Sequence, residues 1–138
     1  MKRQLTDLFI FLILEVTSVL VAAGSFALIP SKVIAGGVAG GYFFLFSAFM
    51  LYRMLKWPQW WEAWSFYPLV LFLFGCAIPM LYERFTHIGM SFNDIRIWGI
   101  PGPEFHHIAT STLGLLFLVT LAETIRVIAL KGKKARAS

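Results

Sequence analysis

Four apolar runs divide this chain, and each is long enough to cross a lipid bilayer. They are Leu8 to Ile29, Val33 to Leu55, Phe66 to Tyr82 and Ile108 to Leu130. A helix rises about 1.5 Å per residue, so crossing the hydrocarbon layer takes about 20 residues, with a range of about 17–25. Such runs leave few alternatives. In lipid every backbone N–H and C=O must be bonded internally, and a helix does this unaided. The expectation is an all-α, polytopic membrane protein. It forms a single four-helix transmembrane domain over 1–138, arranged as two antiparallel hairpins with an outer segment at 83–107. Composition agrees: 59% of the 138 residues are hydrophobic and 14% charged, whereas soluble domains run at about 45–50% apolar and about 25% charged. A water-soluble core of this size could not hide so much apolar surface.

The first run resembles a cleaved signal peptide in part, with Met1-Lys2-Arg3 ahead of it and the small residues VAAGSFA within it. Asp7 and Glu15 interrupt the apolar stretch, and the run is long for such a segment. A retained helix is expected.

Lys and Arg give the orientation. Lys2, Arg3, Arg53, Lys56, Arg126, Lys131, Lys133, Lys134 and Arg136 fall at one set of helix ends; Lys32, Arg84 and Arg96 fall at the other. Both termini are therefore expected in the cytoplasm, with the protein in the plasma (inner) membrane. The net charge of +5 does not point to nucleic acid, because the cations gather at membrane boundaries and not along one face. Cys76, the one cysteine, can form no internal disulfide and reads as a small buried hydrophobe.

Between the second and third runs stands KWPQWWEAWS. Trp57, Trp60, Trp61 and Trp64 suit an interfacial belt at the lipid–water boundary. The second run carries two interleaved GxxxG pairs, Gly36 with Gly40 and Gly37 with Gly41. Close backbone approach through glycine holds helices together in lipid. The expected partner is helix one near Ala22 and Ala23, or else another subunit.

Two features could carry chemistry. Glu15 and Glu123 lie at matching depth, roughly 10 Å inside the apolar layer. A lone charge there costs about 2.5–3.5 kcal/mol on insertion scales, so both acids should turn inward. Arg126 shares a helical face with Glu123, and Thr17, Thr120 and Thr124 are nearby hydroxyls. The acids read either as a buried network that fixes helix register or docks a subunit, or as a proton or cation relay. The second feature is ERFTHIGMSFNDIRIWGIPGPEFHH, which holds all the histidines. Glu83 and His87 are four apart; Glu104 and His107 are three apart. Glu-x-x-His with carboxylates from neighbouring helices is how di-iron bundles build their sites. Glu83, His87, Glu104, His106 and His107 are thus candidate ligands for zinc, iron or copper. His87 with His106 or His107 could be axial ligands of a haem. Equally, these are ordinary residues of a wet rim. Met90, Phe92, Ile95, Ile97, Trp98 and Ile100 suggest that the segment packs back onto the membrane surface or a partner, and Pro101-Gly102-Pro103 makes a stiff turn.

With its carboxylate midway along the first helix, in FLILEVTSVLV, the chain is similar to the small multidrug-resistance transporters. That resemblance implies exchange of protons for cationic drugs at Glu15 alone. The long outer segment, the longer chain and the second acid, Glu123, depart from that family. PGPEFHHIATSTLGLLFLVTLAE resembles the Pro-Gly-Pro start of a helix in the small four-helix subunit of tripartite tricarboxylate transporters. No nucleophile–base pair is evident. Three functions are expected in descending order. The first is a non-catalytic subunit of an inner-membrane transport or electron-transfer complex, bound to other subunits or to its own copies. The second is a proton-coupled transporter using Glu15 and Glu123. The third is a redox protein holding metal or haem on its outer face.

Overall fold

A computed structural model describes residues 2–137; Met1, Ser138 and the side chain of Lys2, one of the cations counted above, lie outside the described residues. Four helices are long and apolar enough to cross a membrane, which makes this a multi-pass membrane protein. They are α1 (Lys2–Leu28), α2 (Lys32–Met54), α3 (Phe66–Thr86) and α4 (Gly102–Ala137). A 3-10 turn at Trp60–Glu62 precedes α3, and a two-stranded antiparallel ladder, β1 (Arg96–Ile97) with β2 (Ile100–Pro101), precedes α4.

Each helix turns one stripe inward. On α1 the stripe is Leu8, Phe11, Glu15 and Ser18; on α4 it is Phe105, Ala109, Leu113, Leu116, Thr120, Glu123 and Val127. Steps of three and four residues keep one face of a helix in register. The outer faces are apolar too: Ile13, Leu20, Leu28 and Leu118 are all more than 60% exposed. A helix greasy outside and partly polar inside suits lipid, not water. Phe43, Phe46 and Phe72 fill the middle, with ring centroids 6.0–6.2 Å apart.

The helices overrun the apolar runs. α3 continues past Tyr82 to Thr86 and α4 begins at Gly102, so only residues 87–101 remain between them. Pro79 does not stop α3. Proline has no N–H to give the carbonyl four residues back, and its ring crowds that carbonyl. Here a π turn at Leu73–Ala77 widens the helix just before Pro79, and the helix resumes over Ile78–Thr86.

Close approach through glycine also takes a different partner from the one expected. A Cβ on Gly36 would collide with the guanidinium of Arg84, and one on Gly40 would press Cδ1 of Leu81 at 3.3 Å. Both neighbours belong to α3. The seam therefore runs between α2 and α3 rather than α1. A Cβ on Gly37 or Gly41 would meet nothing within 4 Å among the described residues.

Asp7, early in α1, meets Arg53, late in α2, while three residues join the other ends of those helices. Trp64 and Ser65, just before α3, meet Glu123, late in α4. One end of the bundle thus carries both termini and the tryptophan link, and is called here the termini end. The loop end carries the 29–31 turn and the 87–101 segment.

Candidate functional site

At the termini end, Glu123 is sealed from solvent and accepts from Trp64 N (3.2 Å to Oε1), Ser65 N (3.0 Å to Oε2) and the Ser65 hydroxyl. Arg126 Nη2 stands 3.7 Å from Oε1, and its guanidinium lies 4.4 Å above the Trp64 ring. Ser65 precedes α3 but caps none of its N–H groups with its own side chain. A carboxylate from another helix instead accepts the N–H groups of the two residues just before α3, at the end of the helix where the dipole favours negative charge. Glu123 thereby pins the start of α3 to α4.

Asp7 forms a second closed cluster. It is fully buried; Oδ1 accepts from Arg53 Nε at 3.1 Å and Nη2 at 2.5 Å, and Oδ2 accepts from Trp57 Nε1 at 2.8 Å. Trp57 is 4% exposed and stacks on Phe11, with centroids 5.8 Å apart. It is a core donor, whereas the sequence placed it in the lipid belt. Trp61 and Trp64 are half-exposed as a belt requires. Asp7 was passed over in the sequence as a mere interruption of the first run. The available signal was its place one turn inside a span, opposite Arg53 at the end of the next.

Glu15 differs from both. It is 2% exposed, Oε1 accepts from Thr120 Oγ1 at 2.9 Å, and Oε2 is buried with no partner. Thr120 has a single proton, and that hydroxyl also stands 2.8 Å from the Leu116 carbonyl. Glu15 therefore has at most one protein donor for two oxygens. Thr17 is not involved; it bonds the Ile13 carbonyl on the exposed face. Thr124 likewise bonds backbone, at Thr120 O.

At the loop end the proposed ligands do not come together. Glu83 Oε2 and His87 Nδ1 are paired at 2.9 Å. Glu104, His106 and His107 stand exposed on the first turns of α4, and His106 packs edge-on to Phe92 at 6.5 Å. Among the described residues, no group of three or more His, Cys, Asp or Glu side chains is placed to hold a metal ion. The Glu83–His87 pair spends one imidazole nitrogen on a carboxylate of its own helix, the ordinary arrangement of a wet rim.

What the segment does carry is a rigid tip. Ile95 and Ile97 are 5% and 1% exposed, and Gly102 N donates to Ile95 O at 2.9 Å. A Cβ on Gly102 would run into the carbonyl of Phe92, so the strand and the helix start fit only with glycine there. Between the strands, Trp98 and Gly99 both take positive φ, 55° and 78°. A two-residue hairpin loop with both φ positive is a type I′ turn, which favours Asn-Gly. A bulky residue in that conformation is costly, about 1–2 kcal/mol. Trp98 bears the cost while 74% exposed; Ile88 and Met90, in the same connecting segment, are 69% and 47% exposed.

Compared with known protein families, characterised proteins and solved structures, the chain has no match.

Proposed function

We propose that this protein is a non-catalytic subunit of a larger inner-membrane transport or electron-transfer complex, with four helices in two antiparallel hairpins and both termini cytoplasmic. The observation that carries the reading is Trp98. A strained backbone is kept where something compensates for it, and the described residues leave this side chain 74% exposed. A partner subunit that buries the indole would supply that compensation, since tryptophan at the centre of a contact is among the strongest anchors. The closed clusters at Asp7 and Glu123 agree, because acids used as staples leave the bundle a rigid platform. Native mass spectrometry from mild detergent tests the proposal. A hetero-oligomer that Trp98→Asn dissociates is expected; a lone monomer, with no copurifying membrane protein, would overturn it.

A second reading has its own observation. Oε2 of Glu15 lacks a partner in a sealed site, and a proton or small cation would complete it. Under this reading the chain is a proton-coupled carrier with Glu15 as its coupling acid. Proton release on substrate addition, lost in Glu15→Gln, supports it; unchanged flux in that variant rules it out.

A further inference from the structure

The loop end holds a cleft of about 450 Å³ between the start of α2, the end of α3 and the segment after it. Its cations are Lys32 and Arg84, joined by His87, by the polar groups of Ser91 and Asn93 and by the backbone of Gly89. No acid lines it. Two acids adjoin lining residues: Glu83 is bound to His87, and Asp94, itself not in the lining, follows Asn93 and donates its backbone N–H to the Ser91 carbonyl.

Arg84 is the unusual member. Guanidinium remains charged at any ordinary pH, and a half-buried charge is normally paired. Arg84 makes no hydrogen bond or ion pair among the described residues, and no other side chain there offers it a carboxylate. Its position is nonetheless fixed on two sides. The missing Cβ of Gly36 leaves the hollow in which the guanidinium rests, and the Phe92 ring lies 4.5 Å from its centre. A cation–π contact recovers about 0.5–2 kcal/mol, less than an anionic partner would. A cation prepositioned without its anion, facing a cleft with a second cation and several donors, is a receptor for an oxyanion.

We infer that this cleft binds a phosphate group, with Arg84 as the fork-shaped donor and Lys32 as the second charge. Arg presents parallel N–H groups that match phosphate oxygens, whereas Lys acts as a point charge. The group could belong to the headgroup of an anionic phospholipid, as the cleft lies where helix ends meet the polar layer. It could also belong to a free phosphate compound. The inference does not depend on whether the chain joins a complex.

The purified protein tests this in neutral detergent by native mass spectrometry and by thermal shift. The probes are phosphatidylglycerol, phosphatidylcholine and inorganic phosphate. Selective binding of phosphatidylglycerol, or of inorganic phosphate, is expected, weakened about tenfold or more in Arg84→Gln. A smaller loss is expected in Lys32→Gln, and none in Lys133→Gln at the termini end. Binding of the lipid alone identifies a headgroup site; binding of inorganic phosphate identifies a site for a free compound. Failure of both anions to bind, equal binding of phosphatidylcholine, or an Arg84→Gln protein that folds and binds as the parent does would each overturn it. Should Arg84→Gln not fold, Lys32→Gln, at an exposed position, carries the same test.

Discussion

The two ends of the bundle handle their charged groups differently, although at the termini end Arg126 Nε is buried without a hydrogen-bond partner among the described residues. At the termini end, Asp7 and Glu123 are fully buried and each meets three donors. At the loop end, Arg84 has no counter-charge among the described residues and Trp98 is 74% exposed. A buried network that is fully satisfied rigidifies and specifies a fold; one that is incomplete is costly until something completes it. Under the proposed function, the contrast separates what holds this protein together from where it would meet other molecules. Glu15 lies between the two cases, sealed like Glu123 yet short of partners like Arg84.

The contrast breaks most readily at Glu123. Glu123→Leu strands Trp64 N, Ser65 N and the Ser65 hydroxyl, and should cost about 3–5 kcal/mol, as removal of one side of a buried charged pair does. Thermal unfolding in detergent reads this directly; a loss below about 1 kcal/mol would mean that water already reaches the site. Asp7→Asn keeps one acceptor but turns an amide N–H toward Trp57 Nε1. It should cost about 1–3 kcal/mol and alter Trp57 fluorescence. At the loop end the sign reverses. Trp98→Asn suits the type I′ turn and should stabilise the isolated chain by about 1 kcal/mol while weakening any assembly. A variant that loses stability alone would show that Trp98 packs within its own chain. The smallest effect is expected for Glu15→Gln, under about 1 kcal/mol, since only one hydrogen bond is at stake. A loss comparable to that of Glu123→Leu would place Glu15 among the structural acids.

Much of the fold was legible because lipid sets a length and a periodicity that no other environment demands. The four spans, the inward turn of Glu15 and Glu123, and the proximity of Arg126 to Glu123 all follow from helical geometry along one chain. What was not legible depends on how helices meet. Gly36 and Gly40 signal a close approach, but not that the visitor is Arg84 and Leu81 of α3. The four tryptophans look alike in sequence, and only the fold assigns Trp57 to Asp7 and leaves Trp61 to the boundary. Glu83 and His87 form a pair within one helix, as spacing predicts. Whether Glu104, His106 and His107 join it depends on the turn of α4, and they do not. The Trp98 turn carried a readable hint, since Trp-Gly between Ile97 and Ile100 has the spacing of a two-residue hairpin.

The central claim is that the Trp98 tip is covered by a second, different protein. A photo-crosslinking residue placed at position 98 in native membranes tests it most directly, with the same residue at Leu118 on the lipid-facing side of α4 as comparison. The account predicts a discrete adduct with another membrane protein from position 98 and lipid adducts alone from position 118. Lipid adducts from both positions would contradict it.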